Sequence, residues 1–168
     1  MPLPRQCQGA MMSDPVRPAD DEARTLARGL MALGHAALAW TDPETGTPGI
    51  SRVAFARDPE AGLLTLVSGL APHFRALREN PDCALMLGEV GAKGDPMTHP
   101  RLMIRACAGF VAPEDPARLG IRARWLERNP KAQVYIDLPD FAFVRLTPLT
   151  ALLNAGFGRA FHLTPQDL

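Results

Sequence analysis

Two apolar runs, Ser51-Arg52-Val53-Ala54-Phe55 and Leu63-Leu64-Thr65-Leu66-Val67-Ser68, are separated by little more than Asp58-Pro59-Glu60-Ala61-Gly62. A connection that short cannot carry a parallel crossover, so the runs form an antiparallel hairpin. The same reasoning extends in both directions. Ala36 to Asp42 reads as a preceding strand that turns through Pro43 to Gly49 into the one bearing Arg52, and Cys83 to Leu87 reads as a fourth strand after the break at Asn80-Pro81-Asp82. The chain is committed to a meander from its first third onward.

Beyond it, Leu102, Ile104, Ala106, Ala108 and Phe110 alternate with Arg101, Met103, Arg105 and Cys107, which puts the two arginines on one face. They either salt-bridge at the surface or add to a binding site. Asp140 to Leu146 alternates again, and Ala151 to Ala155 reads as a separate strand after Thr147-Pro148. Helices are predicted where Asp20, Asp21 and Glu22 precede Ala23, Leu26, Ala27, Leu30 and Met31, from Pro72 to Asn80, and from Pro116 to Asn129. The four arginines of the last helix, Arg118, Arg122, Arg124 and Arg128, read as a solvated face. Six or seven short strands joined mostly by hairpins, with three helices, predict an antiparallel barrel with peripheral helices: one domain over 18–168 behind a flexible tail at 1–17.

Charge narrows the partners. Eighteen Lys and Arg balance eighteen Asp and Glu, so no global field points to nucleic acid and any binding is local. Cys7, Cys83 and Cys107 lie far apart without ligand spacing, which fits reduced thiols. No signal-like apolar segment and no run of membrane-spanning length occurs, and the expected setting is cytoplasmic, with no membrane partner.

The residues around the second strand's end carry the chemistry. Ser68 closes an apolar run, Gly69 allows a bend, and Pro72 suits a first helical position. The helix start favours an anion, with Ser68, His73 and Arg75 supplying a hydroxyl and two potential cations, and Arg52 a further one. Arg52 shares its strand face with Ala54 and Ala56, leaving shallow room for a flat ring. Ordinary solvated charges on a hairpin are the alternative reading. The long loop from Gly88 to Pro100 holds His99, and His162 lies near the end of the chain. Dinucleotide, Walker, Cys-x-x-Cys, His-Glu-x-x-His and Gly-x-Ser-x-Gly motifs are absent from the sequence.

Taken in order, Ser51-Arg52-Val53, Ser68-Gly69-Leu70-Ala71-Pro72-His73, Gly94-Asp95-Pro96-Met97-Thr98-His99-Pro100-Arg101, Asp140-Phe141 and Gly156-Phe157-Gly158-Arg159-Ala160 resemble the FMN-binding split-barrel proteins related to pyridoxamine 5′-phosphate oxidase. The heme-utilisation (HugZ-type) branch is the nearest match. The resemblance implies a mainly β protein with peripheral helices, an antiparallel split β-barrel. It further implies a homodimer with FMN at the interface and flavin-dependent oxidoreductase activity on an unspecified small molecule. Arg52, Ser68 and His73 would hold the phosphate, and the isoalloxazine would lie against Val53 and Ala54. Arg75 is added by the helix-start argument, and Arg101 and Arg159 would stand near the cofactor or the dimer seam. The chain departs from the family at Phe74 and Ala76, where a small hydroxyl residue and a polar amide are usual. The alternatives are a heme-binding or heme-utilisation protein of the same fold, with His162 or His99 as iron ligand, and a non-catalytic dimer that has lost its flavin.

Overall fold

The structure, a computed structural model, describes residues 16–168. Eight strands and three α-helices follow one another as β1 (Val16–Pro18), α1 (Asp21–Leu30), β2 (His35–Thr41), β3 (Pro48–Asp58), β4 (Gly62–Ser68), α2 (Pro72–Glu79), β5 (Asp82–Leu87), β6 (Arg101–Phe110), α3 (Arg118–Arg128), β7 (Phe141–Asn154) and β8 (Ala160–Leu163). The sheet runs β1-β8-β7-β4-β3-β2-β5-β6, and β6 also pairs with β7. That pairing closes β7, β4, β3, β2, β5 and β6 into a six-stranded antiparallel barrel. The predicted barrel with peripheral helices is what forms. No helix among the described residues is long and apolar enough to cross a membrane.

Local chemistry explains the connections. The Asp42 carboxylate accepts from the amides of Glu44 and Thr45, and the Asp58 carboxylate accepts from those of Glu60 and Ala61, so each hairpin opens on an aspartate that caps its own turn. Gly62, at φ +78°, takes the left-handed position that ends the second turn. Asp20 caps α1 by accepting from the amide of Ala23, and Ala23 and Ala27 are the positions that helix buries.

Two cores result. The larger fills the barrel with Leu38, Val53, Phe55, Leu85, Ile104, Val144 and Leu153. The smaller lies outside β3 and β4, where Ala56, Leu64 and Leu66 are covered by Ile121 and Trp125 of α3. The α3 arginines are not merely solvated: Arg122 pairs with Asp137, Arg124 with Asp58, and Arg128 donates to the carbonyl of Arg57. They fasten the helix over the second core.

Three boundaries differ from expectation. The predicted tail at 1–17 lies outside the described residues up to position 15, and its last two members, Val16 and Arg17, pair in parallel with Ala160 and Phe161. The first barrel strand starts at His35 rather than Ala36. The two strands expected on either side of Thr147-Pro148 are one, β7. Pro148 is tolerated because the β6–β7 register shifts there, and because β7's other edge is pairless between the last partner on β4, at Arg145, and the first on β8, at Ala151.

Candidate functional site

Strand alternation decides which side chains leave the barrel. On β2, Ala36 and Leu38 point inward while His35, Ala37 and Ala39 point outward; on β3, Val53 and Phe55 are buried while Ile50 and Arg52 are exposed. The ladders align these outward residues. Ala37 stands between Arg52 on β3 and Met86 on β5, and Met86 faces Met103 on β6, which faces Leu152 on β7. In the next row Ala39 lies between Ile50 and Ala84, and Ala84 faces Arg105.

The outer face is therefore a floor of alanines and methionines, with Ile50 71% exposed and Arg52 and Arg105 among its few charges. A cleft of about 420 Å³ opens at its lower edge, lined by Ala39, Trp40, Ala84, Arg105 and Leu149. Cys83, at the rim of that cleft, is pushed up to about 12 by burial and by the neighbouring Cys107 and Asp82, so its thiol stays protonated.

Beneath the floor, at the start of α2, three polar groups form a chain. Trp40 Nε1 donates to Ser51 Oγ at 3.1 Å, and Ser51 Oγ meets His73 Nδ1 at 3.1 Å. His73 is 9% exposed, and burial lowers its pKa below the ordinary histidine value. The imidazole is neutral at pH 7. It cannot serve as the cation expected at the helix start.

The other expected phosphate ligands are also occupied. Ser68 Oγ donates to Asp140 Oδ2 at 2.8 Å and accepts from the amide of Leu70. Arg75 is engaged elsewhere, its guanidinium shared between Glu44 at 2.6 Å and Glu79 at 2.7 Å. Phe74, where a hydroxyl is usual, packs edge-on against Phe110 at 5.0 Å, and Arg78 lies over both rings. Ala76 is fully buried. Arg52 alone of the expected set has no side-chain partner among the described residues. A carboxylate on the serine, a neutral histidine and a twice-paired arginine do not fit a flavin phosphate.

The remaining candidates are scattered. Arg101 donates to the carbonyls of Met97 and His99, and Arg159 pairs with Glu22 of α1 at 3.0 Å. Both fasten loops. His99 is a staple of its own loop, its ring meeting the carbonyl of Lys93 at 3.1 Å and the amide of Gly91 at 3.5 Å. His162 is exposed on β8 opposite Leu152, beside Val16, Arg24 and Asp167. Val53 is a buried core residue, whereas Ala54, half-buried, stays at the outer face.

One residue of the outer face was missed from sequence. His35 stands opposite Ala54, with Nε2 3.5 Å from Glu89 Oε1. Beginning the strand one residue earlier would have put it in phase with Ala37 and Ala39.

No family model matches the chain. It is 30% identical over 125 residues to the heme oxygenase HutZ of Vibrio cholerae, covering 73% of this chain and 70% of that protein. It is 33% identical over 118 residues to the chloroplastic non-canonical heme oxygenase HOZ of Arabidopsis thaliana, covering 69% of this chain. The chain spans 34% of the length of the Arabidopsis protein. Among solved structures it superposes on a Clostridium acetobutylicum protein of the pyridoxinephosphate oxidase family with a TM-score of 0.65 at 14% identity, over 87% of this chain and 96% of that one. The six-stranded barrel, together with identity across most of the Vibrio protein, shows that the chain belongs to the split-barrel family related to pyridoxamine 5′-phosphate oxidase, in its heme-utilisation (HugZ-type) branch.

Proposed function

We propose that this protein binds heme across the outer face of β3, β2, β5 and β6, and that its activity is of the heme-degrading kind named for its Vibrio and Arabidopsis relatives. The observation that carries the reading is the face itself: an open apolar floor of Ala37, Ala39, Ala84, Met86 and Met103 beside Arg52 and Arg105, neither with a partner among the described residues. A porphyrin is a flat apolar ring carrying two carboxylates. The floor suits the ring by area and the arginines suit the carboxylates by charge.

Heme, when bound, supplies the redox and oxygen chemistry of its iron. The chain's own part is to bind and orient: the alanines admit the ring edge, and Arg52 and Arg105 fix the carboxylates. A second copy of the chain covering the same face would exclude water, since Ile50 and Met86 are left 71% and 48% exposed. Titration of the purified protein with hemin, followed at the Soret band, is expected to saturate at a fixed stoichiometry. Arg52→Ala and Arg105→Ala should each weaken binding without changing the fold. A spectrum identical to that of free hemin throughout the titration would refute the reading.

A flavin-dependent oxidoreductase is the second reading. It is favoured by the parting of β3 and β4 beyond Phe55 and Thr65, where their backbone ladder ends and the Ala54 carbonyl is held by the Thr65 hydroxyl instead of a β4 amide. A yellow protein whose visible band bleaches with dithionite, and which does not take up hemin, would establish that reading instead. A colourless protein that takes up neither would leave the cofactor-free dimer.

A further inference from the structure

We propose that a cleft between α2 and the residues leading into β7 binds a small planar aromatic carboxylate. The cleft measures about 600 Å³, and its lining includes Phe74, Phe110, Phe141, Pro139, Arg78 and Arg118. That size lies within the range of small-molecule sites. It shares no residue with the outer face of β3, β2, β5 and β6, and neither site depends on the other for its reading.

The walls are aromatic and already held in place. Phe74 and Phe110 meet edge to face at 5.0 Å, and both pack against the barrel core. Phe141 lies 5.0 Å from Tyr135, and those two rings pack against the second core. The cleft opens where the two cores come to the surface, so a ligand need not order its own walls. Phe74 decides its character. A hydroxyl residue, usual in the family at this position, would make that wall polar, whereas the phenyl ring makes it apolar and suited to a flat hydrocarbon.

Charge selects the sign of the ligand. The Arg78 guanidinium stands 5.7 Å from the centre of the Phe74 ring and 5.2 Å from that of Phe110. Neither it nor the Arg118 guanidinium has a hydrogen bond or ion pair among the described residues. The two carboxylates of the lining are engaged. Asp137 accepts from Arg122 through both oxygens, with Arg118 adding only a weaker through-space attraction, and Asp140 accepts from Ser68. Two arginines with unused donors therefore flank three phenyl rings. A guanidinium fork matches a carboxylate in plane and spacing. A bare inorganic anion would leave the rings uncovered, and a neutral ring would leave the donors unused.

The test is a calorimetric titration of the full chain with 1-naphthoate, against 1-naphthalenemethanol as the uncharged ring and acetate as the anion without a ring, together with amide chemical-shift mapping. 1-Naphthoate is expected to bind once per chain, with shifts centred on Phe74, Phe110 and Phe141. The alcohol and acetate should each bind at least about 10-fold more weakly. Arg78→Gln and Arg118→Gln should each weaken 1-naphthoate by about 10-fold with circular dichroism unchanged. Arg28→Gln, which alters an exposed arginine of α1 outside the cleft, should match wild type. No binding of 1-naphthoate, equal affinity for the alcohol, unchanged affinity in both cleft variants, or shifts centred on Arg52 and Arg105 would overturn the assignment. Hemin takes no part in the titration, so the heme reading stands or falls separately.

Discussion

Replacing Gly49 by alanine tests how the barrel end is built. Gly49 lies directly opposite Trp40 in the β2–β3 ladder. A methyl group at position 49 would fall 2.3 Å from Cζ2 of the indole and 2.5 Å from Cε2 and Cη2. Carbon atoms rest about 3.5–4.0 Å apart, so the indole must retreat by more than about 1 Å. It is not free to do so, because Nε1 is bonded to Ser51, which in turn holds His73. Overpacking costs about 1–3 kcal/mol and the lost indole hydrogen bond about 0.5–1.5 kcal/mol. Gly49→Ala should therefore destabilise the protein by about 2–4 kcal/mol, a fall in Tm of about 5–15 °C for a domain of this size. Urea unfolding followed by tryptophan fluorescence measures it directly. Trp40→Leu placed in the Gly49→Ala background should recover much of the loss, since it removes the obstacle. A Gly49→Ala protein within about 0.5 kcal/mol of wild type, or a strictly additive double-mutant cycle, would refute the packing argument.

Arg124→Ala should cost about 3 kcal/mol in the same urea experiment, because Asp58, whose side chain is 4% exposed, would keep its charge without the guanidinium that faces it. Burial holds the folded-state pKa of His73 below 6.5, so its contribution to stability is complete above pH 6.5 and is lost as the pH falls through the depressed folded value. Thermal melts across that range should slope downward toward acid, and the slope should flatten in His73→Gln; an unchanged slope would mean another group sets it. Phe74→Thr restores the hydroxyl usual in the family but removes the ring packed on Phe110, so it should lower stability by about 1–2 kcal/mol. It should also fail to create FMN binding, because Asp140 still occupies Ser68; quenching of flavin fluorescence on titration with this variant would contradict that expectation.

The barrel was legible because its connections are short and its strands alternate. Asp58 to Gly62 forces a hairpin, and the phase of Arg52 against Val53 and Phe55 correctly sends the arginine outward and the two apolar residues inward. What alternation cannot supply is the partner of a polar side chain brought in from far along the sequence. Ser68 looked like a phosphate ligand until Asp140, seventy-two positions away, was found on its hydroxyl. Arg75 looked like a second ligand until Glu44 and Glu79 were found to share it. His35 was lost for a different reason: after Gly34 it reads as turn rather than strand, although its side chain projects from the same face as Arg52. Pro148 hid the continuity of β7 because a proline within a strand is normally a boundary, and only the shifted β6 register and the gap between β4 and β8 on the other edge make it permissible.

The double pairing of β7 also sets the order in which the protein can be made. Until residues 141–154 leave the ribosome, β4-β3-β2-β5-β6 can form only an open sheet, with β4 and β6 each presenting an unpaired rim of backbone groups. Between the completion of β6 at Phe110 and the arrival of β7 the nascent chain carries two adhesive borders. A single late strand joins both at once, so premature termination before Phe141 yields a species suited to edge-to-edge association, and the protection of the growing polypeptide falls to chaperones rather than to its own fold.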